Sequence, residues 1–325
     1  MINLSERKKV TINLRTYLAL LTVIVIITAA LFTYLFYNRR STLPAISVGP
    51  IPGNFNFVYN IYGSKDRKLL RPMSAFFEHN SKKIYVANTE GHSIDVFDNK
   101  GKYLYSFGGF GSIPGKLSYP YGIARLSDGN IVVTEAGNRR VQKFSPQGDF
   151  LGFIVPTDNA VGLDKPGPVR VDARGNIYIG DLSGNKVIVL DATGKLIRTV
   201  GNVQYPHGIA LDEKNNRLYV ASAGTGNIKV FPLTENKKED NNAPEFSGLG
   251  LVRGIDVDEH GNLYVVDSIA GMVRTFDFNG KPGLSFGGSG NDDGSMLYPN
   301  GIDVGEDGRV YVADWGNNRI VVWGN

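Results

Sequence analysis

A short β-type run ending on a polar residue recurs six times, and its spacing limits the fold more than any other feature of the chain. It reads KIYVAN ending at Asn88, IVVTE at Glu135, IYIGD at Asp181, LYVAS at Ser222, LYVVD at Asp267 and VYVAD at Asp314. Successive ends lie 47, 46, 41, 45 and 47 residues apart. Alternating Val, Ile and Tyr mark strands rather than helix. A period of roughly 40 to 50 residues belongs to repeat architectures, in which no unit can bury both its faces alone and each packs on its neighbours.

Each copy carries more than this strand. A polar turn and a further strand follow it: SIDVFD, RVQKFS, KVIVLD, NIKVFP, MVRTFD and RIVVW. Most copies then show a Gly turn and a fourth strand, as in GKYLYSFGG and GKPGLSFGG. Ahead of it lies a lead-in of Pro-x-Gly-Ile type: YPYGIA, GPVRVD, YPHGIA, LVRGID and YPNGID, with RPMSAF the weakest. The expectation is six units of four strands.

These units resemble NHL repeats, which build six-bladed β-propellers. Residues 119–144, 251–277 and 298–323 carry the pattern best. The first unit departs from it at Ser74 and Ala75, and the fourth has Ser222 in place of the acid and the polar segment TENKKEDNNAP at 234–244. The resemblance implies an all-β, six-bladed propeller over residues 55–325. The last unit ends at Asn325 without an outer strand, while FNFVYNIY at 55–62 has the look of an outer strand with no unit of its own. Pairing 55–62 beside 319–323 would complete the last blade and leave no open seam. Such a propeller is expected to be monomeric.

The N-terminal residues read differently. Residues 17–37 contain no charge, and a helix of that length spans about 30 Å, the hydrocarbon thickness of a bilayer. Tyr17, Tyr34 and Tyr37 sit near its ends as interfacial aromatics do, with Arg7, Lys8, Lys9 and Arg15 before it and Arg39 and Arg40 after it. Read as a single-pass signal anchor, this gives a cytoplasmic tail at 1–16, a transmembrane anchor at 17–37 and a Pro- and Gly-punctuated stalk at 38–54. The N-terminus is then inside and the propeller outside the cell membrane. The alternative is a cleaved signal peptide, whose support is the small-residue group Thr28, Ala29, Ala30.

Charge narrows the partners. The chain's net +4 comes from the flanks of that segment: residues 1–40 hold six bases and the single acid Glu6, leaving 29 Lys and Arg against 30 Asp and Glu. A near-neutral domain is a poor nucleic-acid binder, so no nucleic-acid partner is expected. With no cysteine there is no disulfide framework, thiolate metal site or cysteine nucleophile.

Propellers place function at one end of the central channel, where the loops leading into the innermost strands converge. The position after the lead-in proline holds Met73, Tyr121, Val169, His207, Arg253 and Asn300 round the ring. This asymmetric, partly polar set makes Tyr121, His207, Arg253 and Asn300 the candidate ligand or partner residues. Several NHL-like propellers are metal-dependent lyases or hydrolases, and a catalytic zinc site wants about three His or carboxylate ligands. Here only His207 lies on the ring. His79 and His260 precede turns and His92 follows the Asn88 strand, so the His triad of the family's peptide-amidating lyases is absent. A channel calcium ion would have only Asn300 and Glu135 to draw on. No cofactor and no metal ligand or catalytic residue is assigned, a divalent cation being retained only as the alternative.

Glu135, Asp181, Asp267 and Asp314 recur once per unit, which points to a structural carboxylate paired with its turn or with an Arg. Asn138 and Arg140 follow Glu135 as Asn317 and Arg319 follow Asp314. Asp292 and Asp293 in GGSGNDDG lack the alternating spacing of a calcium loop, and the Gly-rich stretches lead into no helix, so they cradle no phosphate. The sequence therefore reads as a membrane-anchored, extracytoplasmic binding or scaffold module for a protein, peptide or envelope ligand. The alternative is a divalent-cation-dependent hydrolase or lyase acting at the central channel.

Overall fold

Alternation of apolar and polar residues, broken by Gly, Asn and Asp turns, produces six antiparallel sheets in a computed structural model that describes residues 54–156, 161–234 and 244–324. The sheets follow one another along the chain as blades, each starting from an inner strand at the channel. The inner strands are Ser74–Glu78, Pro120–Arg125, Pro166–Val171, Pro206–Asp212, Val252–Val257 and Ile302–Val304. Each packs on the next and the sixth packs on the first, which makes a closed six-bladed propeller. The core lies between blades, in clusters such as Ile84, Phe97, Tyr311 and Ile320 between the first and sixth. The proposed anchor at 17–37 lies outside the described residues.

The sixth blade draws its outer strand from the other end of the domain. Asn56–Ile61 pairs antiparallel with Arg319–Gly324, from Asn56 opposite Gly324 to Ile61 opposite Ile320. The strand also reaches both neighbouring blades. Phe55 stacks on Phe286 of the fifth blade at 4.7 Å, and the Tyr59 hydroxyl donates to the Asn99 carbonyl of the first at 2.9 Å. Ring closure therefore rests on one strand holding three blades.

The fourth blade departs from the expected four strands: among the described residues it has three. Its last described strand ends at Pro232. Residues 244–247 run without strand structure, and Phe246 packs edge-on against Tyr219 and Phe276. That ring covers apolar surface between the fourth and fifth blades.

Why the lead-in needs glycine is visible between blades. A β-carbon on Gly208 would lie 2.4 Å from the Arg253 carbonyl oxygen, one on Gly254 2.4 Å from that of Asn300, and one on Gly301 2.4 Å from that of Met73. Each atom belongs to the next blade, at the start of its inner strand or in the lead-in just before it, so the absent side chain is what lets successive blades close on the channel. The Gly254 and Gly301 amides then donate to the Asn300 and Met73 carbonyls at 2.9 and 3.0 Å. Gly301→Ala should therefore destabilise the fold by about 1–3 kcal/mol, the usual cost of overpacking. Gly288→Ala, with nothing within 4 Å of the added carbon, should leave the denaturation midpoint unchanged.

Candidate functional site at the channel mouth

The recurring acids position the mouth. Glu135 accepts from the Ser118 amide at 2.9 Å, Asp181 from the Lys165 amide at 2.8 Å, Asp267 from Gly250 at 3.0 Å and Asp314 from Leu297 at 2.7 Å. Every donor lies on the loop that leads into that blade's inner strand. In the first and fourth blades Asn88 and Ser222 do the same work, Asn88 accepting from the Leu70 amide and Ser222 donating to the Gln204 carbonyl. The acids also hold the partners expected of structural carboxylates. Glu135 accepts from Asn138 and Arg140 at 2.6 Å each, and Asp314 from Asn317 at 2.7 Å and Arg319 at 2.8 Å. Their lone pairs are committed to the loops.

Where the inner strands begin, the side chains of three blades meet. The Tyr121 hydroxyl of the second blade lies 2.6 Å from His207 Nδ1 of the fourth. Arg253 Nη1 of the fifth lies 3.0 Å from the same Nδ1 and 2.8 Å from Nε2. A guanidinium only donates, and we assign the nearer ring nitrogen, Nε2, as its acceptor. The ring hydrogen then sits on Nδ1 and is donated to the Tyr121 oxygen, leaving the tyrosine's own hydrogen free to donate elsewhere. Asn300 is buried on the sixth blade's loop, where its Nδ2 donates to the Tyr298 carbonyl at 3.2 Å and its Oδ1 has no partner. Arg253 Nε is likewise buried and unpartnered.

One ring position differs from the sequence expectation. Val169 is fully buried in the core between the second and third blades. The pairing of Pro166 with Asp181 matches that of Pro120 with Glu135 and Pro206 with Ser222, which makes Gly167 the counterpart of Tyr121 and His207. The cause is the doubled proline of PGPV, in which Pro166 rather than Pro168 begins the strand. Gly167 presents no side chain between the second and fourth blades. The space its β-carbon would take is filled by Leu182, 2.8 Å away.

The electrostatics of the mouth are set by burial and by cations. Burial pushes the His207 imidazole down to about 3, and the positive charges of Arg253 and Lys165 push the same way. Burial raises the Tyr121 phenol. His207 is therefore neutral at physiological pH, consistent with its accepting from Arg253. Because its folded value lies below the ordinary 6.5, the unfolded chain binds more protons between pH 6.5 and 3, and stability falls as pH falls through that window. The slope is at most about 1.4 kcal/mol per pH unit. His207→Gln should remove it, so the variant should gain about 2 kcal/mol on the wild type between pH 7 and pH 5 in chemical denaturation.

Deeper in the channel a second polar group spans its width. Arg170 of the third blade donates Nη2 to the Ile302 carbonyl of the sixth at 3.0 Å. The same nitrogen lies 3.4 Å from Asp256 Oδ2 and 3.9 Å from Asp303 Oδ1. Each carboxylate also ties its blade to the next, Asp256 accepting from the Val304 amide at 2.9 Å and Asp303 from the Phe77 amide at 2.8 Å. Burial and the facing Asp256 push the Asp303 carboxyl up to about 7, an effect on the pH dependence opposite in sign to that of His207. Beyond Arg170, at the far end of the channel, lies a cavity of about 670 Å³ lined by Asp212, Asp256, Asp258, Asp303 and Glu306. Asp212 and Asp258 cap their own turns there, accepting from the Asn215 and Asn262 amides at 3.0 and 2.8 Å.

A divalent cation fits neither level. Both His207 nitrogens face Arg253, and the guanidinium of Arg170 sits against the Asp256–Asp303 pair. Among the described residues no three His, Asp or Glu converge as a metal-holding group. The other histidines are elsewhere: His92 Nδ1 accepts from the Tyr119 amide at 3.1 Å, and the exposed His79 and His260 lie beside Glu306 and Glu259. Asp293 accepts from Asn60 of the closing strand at 2.8 Å.

Comparison with known proteins agrees with this architecture. The NHL repeat model matches residues 117–144 and 296–323, the second and sixth blades. The chain is a six-bladed propeller, two of whose blades match the NHL repeat. Residues 154–282 match the SMP-30/gluconolactonase/LRE-like region. Protein brain tumor of Drosophila melanogaster is 31% identical over 120 residues, 36% of this chain and 11% of that protein. A gluconolactonase of Zymomonas mobilis is 25% identical over 180 residues, 47% of this chain and 50% of that protein. The chain thus spans half or less of the length of either relative. Among solved structures, a Xanthomonas campestris gluconolactonase superposes with a TM-score of 0.64 at 17% identity, covering 78% of this chain and 86% of its own, a likeness of fold.

Proposed function

We propose that this NHL propeller is a membrane-anchored, extracytoplasmic binding module that takes a protein, peptide or envelope ligand at its channel mouth. The observation that carries the reading is the meeting of Tyr121, His207 and Arg253 from three blades, with buried polar atoms of Arg253 and Asn300 left unpartnered beside them. Buried polar groups are ordinarily satisfied, so such atoms mark a place where a ligand completes the set. Tyr119, Tyr205 and Tyr298 precede the lead-in prolines of three blades and stand about half exposed, offering the amphipathic contact area that partner-binding surfaces use. The uncharged stretch at 17–37 supports the anchor, with the N-terminus inside.

Photo-cross-linking in cells of the source organism tests the reading. A benzophenone residue replacing Met73, at the mouth, should yield adducts that the same group replacing Glu306, at the far end, does not. His207→Ala with Arg253→Met should abolish them; unchanged adducts in that double variant would remove the mouth from the interaction. Since the chain has no cysteine, Ile113→Cys, 65% exposed, reports location. It should label on intact cells with a membrane-impermeant maleimide, and labelling only after lysis would reverse the topology.

The second reading, a hydrolase or lyase, draws support from the SMP-30/gluconolactonase-like match and from the lactonase relative. The residues at the mouth and at Arg170 do not accommodate a cation, so no step is derived through one. Elemental analysis of the purified chain decides its standing: one tightly held divalent ion per chain would favour it.

A further inference from the structure

We infer that the group bound at the mouth is a carboxylate, held by Arg253 with Tyr121 beside it and His207 as the positioning residue. This rests on the mouth being the binding site and adds the chemistry of what binds there. The site is rich in donors. Tyr121, with its oxygen occupied by the His207 Nδ1 hydrogen, has a hydroxyl hydrogen to give. Only Nη1 of Arg253 is engaged within the described protein, and Nε is buried without a partner. The guanidinium therefore keeps a second edge for a planar two-oxygen acceptor, which is the geometry of a carboxylate.

Charge points the same way. The charges that act on His207 are both positive, Arg253 and Lys165. The recurring carboxylates have cations of their own: Glu135, Asp267 and Asp314 face Arg140, Arg274 and Arg319, and Asp181 lies 3.8 Å from Lys186. His207, neutral and clamped between the other two, orients both without adding a charge of its own. A positively biased, partly dehydrated mouth with unspent N–H and O–H donors favours an anion over a neutral group. The flat guanidinium edge favours a carboxylate over a tetrahedral anion. A peptide C-terminus and a uronic acid both supply that group.

Titration of the full chain in detergent, with its histidines ¹⁵N-labelled, tests the inference. The probes are trialanine, trialanine amide, glucuronate, glucose and inorganic phosphate, and the readout is a saturable shift of the His207 ring signals. Trialanine or glucuronate should bind, and whichever does identifies the source; the amide and glucose should not. Arg253→Met should weaken the acid about tenfold or more, the loss expected for one charge-assisted contact. Tyr121→Phe, which keeps the ring and removes only the hydroxyl, should weaken it several-fold should the arginine variant not fold. Equal shifts from the neutral partners, tighter binding of phosphate, or an unchanged affinity in both variants would overturn the carboxylate. If acids bind while the Met73 adducts ignore Arg253→Met, the partner reading fails and the carboxylate subsite stands.

Discussion

Removing residues 55–62 should unfold the propeller or lower its melting temperature by more than about 15 °C. Asn56–Ile61 is the outer strand of the sixth blade, pairing with Ile320 through Gly324. Its loss leaves that strand as an open edge of unpaired amides and carbonyls, the form of edge that recruits other chains. It also uncovers apolar groups: Ile61 is 1% exposed, Phe57 lies edge-on to Trp323 at 6.3 Å, and Phe55 stacks on Phe286. Burial of a large apolar side chain contributes about 1.5–3 kcal/mol, so three of them approach the whole stability of an ordinary domain. Ile61→Asp, which keeps the chain length, should show a smaller loss of the same sign. A deletion variant melting within about 3 °C of the wild type would show that the ring holds without this strand.

Arg319→Met should cost about 3–5 kcal/mol, the usual penalty for breaking a buried ion pair from one side. Arg319 is 1% exposed, and its Nε donates to Asp314 at 2.8 Å. Nη1 donates to the Tyr62 hydroxyl at 3.0 Å and the Asn291 carbonyl at 3.2 Å, and Nη2 to the Asp292 and Ser295 carbonyls at 2.9 and 2.6 Å. One side chain thus satisfies the loop at 287–297 and touches the residue just past the closing strand. Methionine keeps much of the volume and none of the donors, leaving the buried Asp314 carboxylate without its cation and the Asn291 and Ser295 carbonyls without their Arg319 donor. In a domain of this size the loss corresponds to roughly 10 °C in melting temperature. Adding Asp314→Asn should recover part of it by removing the stranded charge. A loss below about 1 kcal/mol would mean that water replaces the guanidinium.

Much of this was legible in the chain because a propeller writes its architecture six times. The strand ends at Asn88, Glu135, Asp181, Ser222, Asp267 and Asp314 are spaced by the fold, and repetition separates structural acids from catalytic ones. The unfinished sixth unit and the orphan strand at 55–62 likewise identify each other. What stayed hidden depends on register or on distance across the ring. PGPV offers two prolines, and only pairing with Asp181 shows that Gly167 rather than Val169 faces the mouth. Arg170 follows Val169 in a strand that reads as core, yet its guanidinium crosses to the sixth blade. The acid-lined far end was foreshadowed only by turns such as VDEHG and VGEDG, whose carboxylates look like ordinary turn caps and in part are. The fourth blade's third and last described strand is followed by a polar stretch whose lack of alternation was the available signal. Tyr121, His207 and Arg253 were each legible as ring positions; that they touch is a matter of distance across the ring.

The state of the His207 ring decides whether the mouth is built as described. In ¹⁵N spectra of the histidine-labelled chain at pH 5, with His207→Gln to assign the signal, the geometry requires a neutral ring carrying its hydrogen on Nδ1. A protonated ring at that pH, or a hydrogen on Nε2, would contradict the Tyr121–His207–Arg253 arrangement on which the binding site rests.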